Sequence, residues 1–283
     1  MSRFSFFQFF ALLKKEFWEN RILMIGAPAV LAIVIFVVNF LLVSQLSEEQ
    51  LGSVIGYFNR WFDGENPFYT APVITLLCIP FVVAYFFCSV IYLLNSLYTD
   101  RKDMSILFWQ SMPISNLQTV ISKIVTVVVI SPIFTVAAIA VLYGLTIGYL
   151  TVIGYGLSAQ LSGLSYMFVA VAVNLSMVYF FLATSALWLL PLVGWLLLFS
   201  AFARRAPILW AIGVYFLLGF FEGFLFNTRF LSNWAQTRFD PDNFIIVDYS
   251  GILDRLFSYD MFIGLFVGAL LISGSVYMRR YAE

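Results

Sequence analysis

Few side chains in this sequence could do chemistry, and they are unevenly placed. Histidine is absent, and the two cysteines, Cys78 and Cys88, fall inside one apolar run, so neither a disulfide framework nor a Cys/His metal site is expected. There is no G-x-x-x-x-G-K-[ST] phosphate loop, G-x-S-x-G elbow, H-E-x-x-H zinc helix or dinucleotide fingerprint, the spacings that set backbone N–H groups on phosphates or a nucleophile beside its base. The chain is therefore expected to be no enzyme by itself, with no catalytic, cofactor-binding or metal-binding residues. Asp240, Asp242, Asp248 and Asp254 have the spacing of no recognised calcium loop. Two candidates remain, Glu222 and the passage Thr99 to Lys123. Glu222 stands inside an apolar run, where a carboxylate is costly and marks a functional position by default. It lies four residues from the end of that run, about 6 Å at the helical rise, close enough to water to snorkel. A place on a translocation path and a plain interfacial place both stay open for it.

Thr99 to Lys123, TDRKDMSILFWQSMPISNLQTVISK, is the longest polar passage on the basic side of the hydrophobic spans. It begins with Asp100, Arg101, Lys102 and Asp103, continues through the apolar group Ile106, Leu107, Phe108 and Trp109, and breaks at Met112-Pro113, where proline bars continuation of a helix. Ser115 with Gln118 three residues on has the form of a capping box, opening a helix that runs into the apolar stretch after Lys123. The passage reads as a short amphipathic helix, a turn and a capped helix that becomes a span, and it is the best docking surface in the chain. Its apolar group could instead rest in the lipid interface, a level that aromatics populate.

The elements that must carry these residues are membrane spans. Apolar residues make up 62% of the chain and charged ones 11%, against about half and a quarter in soluble domains, and the mean hydropathy is +0.96. Phe4 to Arg21 places Phe6, Phe10, Leu13 and Phe17 at helical spacing with Gln8, Lys15 and Glu19 on another face, an amphipathic helix suited to the headgroup region. Spans are expected near 22–43, 71–97, 124–150, 182–202, 208–226 and 261–278, each long enough for a hydrocarbon core of about 30 Å. In the third, Ser131-Pro132 predicts a kink whose freed carbonyl neighbouring groups must satisfy. The stretch 165–202 carries no charge and is too long for one upright span. It is read as an interfacial or tilted helix over 165–181 followed by a span kinked at Pro191.

Charge decides that reading. With six spans, one side holds 11 of the 15 Lys and Arg against 5 acids, and the other holds 4 against 9, with Glu222 at the end of a span. The positive-inside rule then puts both termini and the 99–123 loop in the cytosol; seven spans would put one terminal basic cluster outside. The fold class expected is an all-α integral membrane protein of six transmembrane helices, with an N-terminal interfacial helix and a cytosolic coupling helix. The inner basic residues are spread over separate segments, so nucleic acid is not an expected partner. Membrane lipids are. Gly144-xxx-Gly148, Gly219-xxx-Gly223 and Gly264-xxx-Gly268 each permit close helix contact, a weak pattern in any span.

Three stretches resemble the permease subunits of bacterial type-two ABC exporters. LLKKEFWENR (Leu12 to Arg21) resembles the family's entry helix. LYTDRKDMSILFWQSMPIS (Leu97 to Ser115) resembles its cytosolic loop, although the glycine usual after the loop's second aspartate is Met104 here. LWLLPLVGWLLLFSAFARRAPILWA (Leu187 to Ala211) resembles its Pro-x-x-x-Trp…Ser-x-x-Ala-Arg-Arg-x-Pro segment. The resemblance implies a permease half in the bacterial inner membrane that pairs with a second copy or a paralogue and with separate ATP-binding cassette subunits. ATP and magnesium would be held by those subunits and not by this chain. It assigns the coupling surface to Asp100, Arg101, Asp103, Leu107, Phe108, Trp109 and Pro113, with the N-terminal helix as a second contact. The alternative is a membrane scaffold or sensor that docks a cytosolic partner without transport, since it too needs only spans and a docking loop. An integral-membrane enzyme would need polar groups clustered at one depth, which the spans lack.

Overall fold

The computed structural model describes residues 6–62, 76–103, 114–156, 164–240 and 249–280, and every regular element among them is helical. In chain order the helices are α1 (Phe6–Glu19), α2 (Ala27–Ser44), α3 (Glu48–Phe62), α4 (Ile79–Lys102), α5 (Asn116–Val125), α6 (Ser131–Gly156), α7 (Leu164–Trp188), α8 (Leu190–Phe202), α9 (Pro207–Phe226), α10 (Phe230–Arg238), α11 (Tyr249–Leu256) and α12 (Tyr259–Arg280). Among the described residues six helical stretches are long and apolar enough to cross a membrane: Ile22–Ser44, Ile79–Lys102, Asn116–Gly156, Tyr166–Trp188, Pro207–Phe226 and Tyr259–Arg279. This is the architecture of a multi-pass membrane protein.

Two spans enter through wide turns, each just before a proline. A π-helical turn covers Ile22–Gly26 ahead of Pro28, and another covers Thr126–Ile130 ahead of Pro132. In each, the closing N–H reaches back five residues, from Ala27 to the Ile22 carbonyl and from Ser131 to the Thr126 carbonyl. The next bond in that register would run from residue 132 to the Val127 carbonyl, and proline has no N–H to make it. The Tyr85 hydroxyl donates to that carbonyl instead, at 2.8 Å. The freed group at the Ser131-Pro132 kink is thus satisfied from a neighbouring helix, as a dry interior requires.

The expected capping box is present at the start of α5: Gln118 N donates to Ser115 Oγ at 3.1 Å and Ser115 N to Gln118 Oε1 at 2.9 Å. A second one opens α3, where Ser47 N donates to Gln50 Oε1 at 3.0 Å. Between the first two expected spans, Glu48–Phe62 is helical. Likewise α10 and α11 lie between the fifth and sixth expected spans.

The fourth span differs from expectation. The helix is continuous from Leu164 through Trp188, so there is no boundary near 181, and the 13-residue α8 follows separately. The interruption is at Leu189 (φ −89°, ψ 16°). It falls there because Pro191 cannot donate to the carbonyl four residues back, whereas Phe181-Leu182 contains no helix breaker. Backbone bonds continue across it, Leu189 N to Ser185 O and Val193 N to Leu189 O, both at 2.9 Å.

α8 is the centre of the bundle. It is apolar on every side, as a helix buried all round must be, with Leu190, Val193, Leu196, Leu197, Phe199 and Ala201 all buried. It packs on α4, α9 and, most extensively, α12. The crossing with α12 is close because glycines meet there: a Cβ on Gly194 would lie 2.9 Å from the Gly268 carbonyl, and one on Gly268 would lie 2.9 Å from the Leu190 backbone. Gly264-xxx-Gly268 therefore serves packing within the chain, while around Gly144, Gly148, Gly219 and Gly223 there is open space. Gly194→Ala should accordingly push two backbones apart and cost about 1–3 kcal/mol as overpacking, whereas Gly219→Ala should leave stability unchanged or raised. Thermal unfolding of the purified proteins checks this, and equal effects at the two positions would contradict the packing described.

Candidate functional site

One end of the bundle gathers four segments that are far apart in sequence. α1 brings Lys15 and Glu16, the last turn of α4 brings Asp100, the third turn of α5 brings Lys123, and the end of α12 brings Arg279. The charged side chains lie on faces that bury apolar residues together with Ser and Thr, as at Thr119, Ser122 and Thr126 around Lys123. Glu16 shares its face of α1 with Leu12, both buried, and Phe17 stacks on Phe134 with ring centroids 4.9 Å apart. Lys123 follows Val120 and precedes Val127, both buried. Phe6, Phe7 and Phe10 point away from the bundle and are exposed.

Lys123 and Glu16 are each 1% exposed, and Lys123 Nζ lies 2.9 Å from Glu16 Oε1. The same ammonium donates to the Ser96 carbonyl at 3.0 Å and lies 3.5 Å from Asp100 Oδ2. Tyr92 donates its hydroxyl to the second Glu16 oxygen at 2.8 Å. Lys15 sits 3.4 Å from Asp100 Oδ1 and Arg279 3.9 Å from Asp100 Oδ2, so three cations surround two buried carboxylates. Lys15 also reaches Glu19, 3.3 Å away and half exposed. Burial holds the Glu19 carboxyl above its usual range, opposed by the charge of Lys15.

The residues assigned to a coupling surface divide three ways. Asp100 and Arg101 turn inward. Asp100 is 7% exposed within the ion cluster, and Arg101 clamps the end of α8, donating through Nη2 to the carbonyls of Ser200 and Ala203 at 2.7 Å each. Ser200 completes that joint by donating to Leu94 O at 2.7 Å and accepting from Leu97 N at 3.0 Å. Asp103 is exposed and closes α4, its N–H donating to Thr99 O at 3.0 Å. Leu107, Phe108, Trp109 and Pro113 lie outside the described residues. The joint between α4 and α8 also brings Arg204-Arg205, next in sequence, to the end that holds Lys15, Lys123 and Arg279.

Glu222 is half-buried and holds the start of α10. Its carboxylate accepts from Phe230 N, from Leu231 N at 3.0 Å and from Thr228 Oγ1 at 3.0 Å. A negative charge on the open N–H groups of a helix start is stabilising, and that is the task the geometry gives this residue. Both cysteines are free thiols; Cys78 Sγ lies 3.0 Å from the Tyr143 hydroxyl.

Glu16, Lys123 and Arg279 were missed as site residues by sequence reasoning. A signal existed in the acid four residues after Leu12 on α1 and the lysine three residues after Val120 in α5, since such residues are rarely buried unless paired. No family model, curated protein or solved structure matches this chain.

Removing one member of a buried ion pair leaves the other charge stranded, at about 3–5 kcal/mol. Glu16→Ala should therefore lower stability by that order, while Glu19→Ala, at an exposed pair worth less than about 1 kcal/mol, should change it little. Denaturation of the two purified variants checks the difference, and comparable losses would contradict the pairing.

Proposed function

We propose that the chain is the permease subunit of an ATP-binding cassette exporter of the bacterial inner membrane. In this reading it pairs with a second copy or a paralogue, and separate subunits dock on its cytosolic face and hydrolyse ATP. The reading rests on the resemblance of three stretches, the central and third being the more specific, and one structural observation supports it best. The helices on either side of residues 104–113 meet in one buried ion cluster, through Asp100 on α4 and Lys123 on α5, and that cluster also contains α1 and the end of α12. A push on the segment would reach four helices through charges that cannot separate without stranding one another. Arg101 adds a fifth, since its guanidinium grips the end of α8. In this arrangement Asp100 and Arg101 pass force inward, and Phe108, Trp109 and Leu107 make the contact with the ATPase. The termini lie with the basic residues in the cytosol, as the charge asymmetry favours.

Aromatic anchors seated in a partner's pocket dominate the energy of an interface. Replacing both Phe108 and Trp109 with alanine should weaken association about a hundredfold, which corresponds to about 2.8 kcal/mol. The double variant should insert and purify like the parent yet fail to retain a co-expressed ATP-binding subunit, whereas Leu145→Ala, within a span, should retain it. An unchanged yield of the ATPase with the double variant would remove the coupling assignment and leave a lipid-anchored loop.

A further inference from the structure

A cavity of about 660 Å³ opens between α8, α9, α10 and α12, within the roughly 300–1,000 Å³ typical of small-molecule sites. Its walls are graded in polarity. Leu192, Trp195 and Leu196 from α8, Ile212 and Phe216 from α9 and Leu271 from α12 make most of it apolar. The polar lining comes mainly from α10, as Ser232, Gln236 and Arg238. The α9 wall faces outward, with Ile212 and Phe216 exposed, so the apolar part opens where acyl chains run.

The polar end carries a buried positive charge. Arg238 is 4% exposed, and its guanidinium lies 4.3 Å from the Trp188 ring centroid and 5.0 Å from that of Trp234. It donates to the Trp188 carbonyl at 3.0 Å and to the Asp260 carbonyl, and Trp188 Nε1 donates back to the Arg238 carbonyl at 3.1 Å. Gly264 makes the space, because a Cβ there would lie 2.5 Å from an Arg238 nitrogen. A second guanidinium, Arg255, lies 5.1 Å from the same Trp188 ring. Burial, and then the charge of Arg238, push the Arg255 guanidinium down to about 10. Two cations thus flank one indole, and of the two it is Arg238 that lines the apolar cavity. Among the described residues no carboxylate lies within ion-pair distance of Arg238: its hydrogen bond to Asp260 is to the backbone, and the Asp260 carboxylate opposes the effect of burial only through its charge, without contact.

We propose that this cavity binds a single-chain amphiphile with an anionic headgroup, the acyl chain lying along α8 and α9 and the head against Arg238 and Trp234. A buried cation needs a counter-charge, and the graded walls match a molecule that is charged at one end only. A second copy of the chain presenting its α9 would supply no such charge. That face is apolar from Ile208 to Phe221, and the acid that follows, Glu222, is occupied by the start of α10. Binding here is a property of this chain alone and holds or fails independently of whether an ATPase docks.

Trp188, Trp195 and Trp234 line the cavity, so a bromine-labelled chain that enters should quench tryptophan emission saturably. In the full chain, purified in non-ionic detergent, brominated lysophosphatidylglycerol should half-saturate at a concentration at least tenfold below that of brominated lysophosphatidylcholine. Arg238→Lys should keep the preference and Arg238→Gln should abolish it. Ala235→Phe, which fills the polar end, should remove saturable quenching by both lipids and carries the test if Arg238→Gln fails to fold. Inorganic phosphate should not compete. Equal half-saturation in the parent chain, a preference that survives Arg238→Gln, undiminished saturable quenching in Ala235→Phe, or competition by phosphate alone would each overturn the proposal. So would saturable quenching that disappears as protein concentration rises, which would mean that a second copy fills the cavity.

Discussion

Two carboxylates and three cations buried at one end of a bundle of apolar helices set the terms for the rest of this structure. Taking such charges out of water costs several kcal/mol per ion, and only close pairing with the remaining lone pairs satisfied recovers it. Here Glu16 has a lysine on one oxygen and a tyrosine hydroxyl on the other, and Lys123 is shared between two acids and a carbonyl. Such a cluster tolerates little change in geometry. It therefore sets the relative positions of α1, α4, α5 and α12 at that end, where apolar contacts alone would permit sliding. Association between spans in lipid has no hydrophobic drive of its own, so directional contacts of this kind decide which helices meet.

Elsewhere the bundle depends on shape. Gly194 and Gly268 let α8 and α12 approach until backbones touch, and Pro191 separates α8 from α7. Pro132 is accommodated by widening the helix and passing the orphaned carbonyl to Tyr85. Each device leaves one polar or steric requirement that a single neighbouring residue meets. At the far end of α12, Arg238 and Gly264 repeat the pattern, a large cation fitted over the one residue type that has no side chain.

Much of this was legible in the sequence because it is local. Span-length apolar runs, the Ser115–Gln118 cap and the need for a donor near Pro132 follow from residue order and helix geometry. The basic segments that charge counting grouped together do meet at one end of the bundle. The break falls at Leu189 and not near 181: Pro191, the second residue of α8, is its marker in the sequence, while the absence of charge in 165–202 leaves nothing to mark a boundary at 181. The cap at Ser47 and Gln50, three residues apart ahead of α3, is equally local. The partners of Asp100 were not legible at all. Lys15, Lys123 and Arg279 approach it from three other helices, and nothing in local periodicity pairs residues 85 positions apart. A charge at the head of the passage therefore looked like surface when it is core.

The claim on which the account turns is that α1 is held by this ion cluster and not by lipid. Hydrogen exchange along α1 in a nanodisc, compared between the parent chain and Lys123→Met, tests it most directly. If the cluster holds the helix, the backbone amides of Phe6–Glu19 should exchange markedly faster in the variant while those of α2 stay protected. Unchanged protection of α1 in a folded Lys123→Met chain would contradict the account and return the helix to the lipid surface.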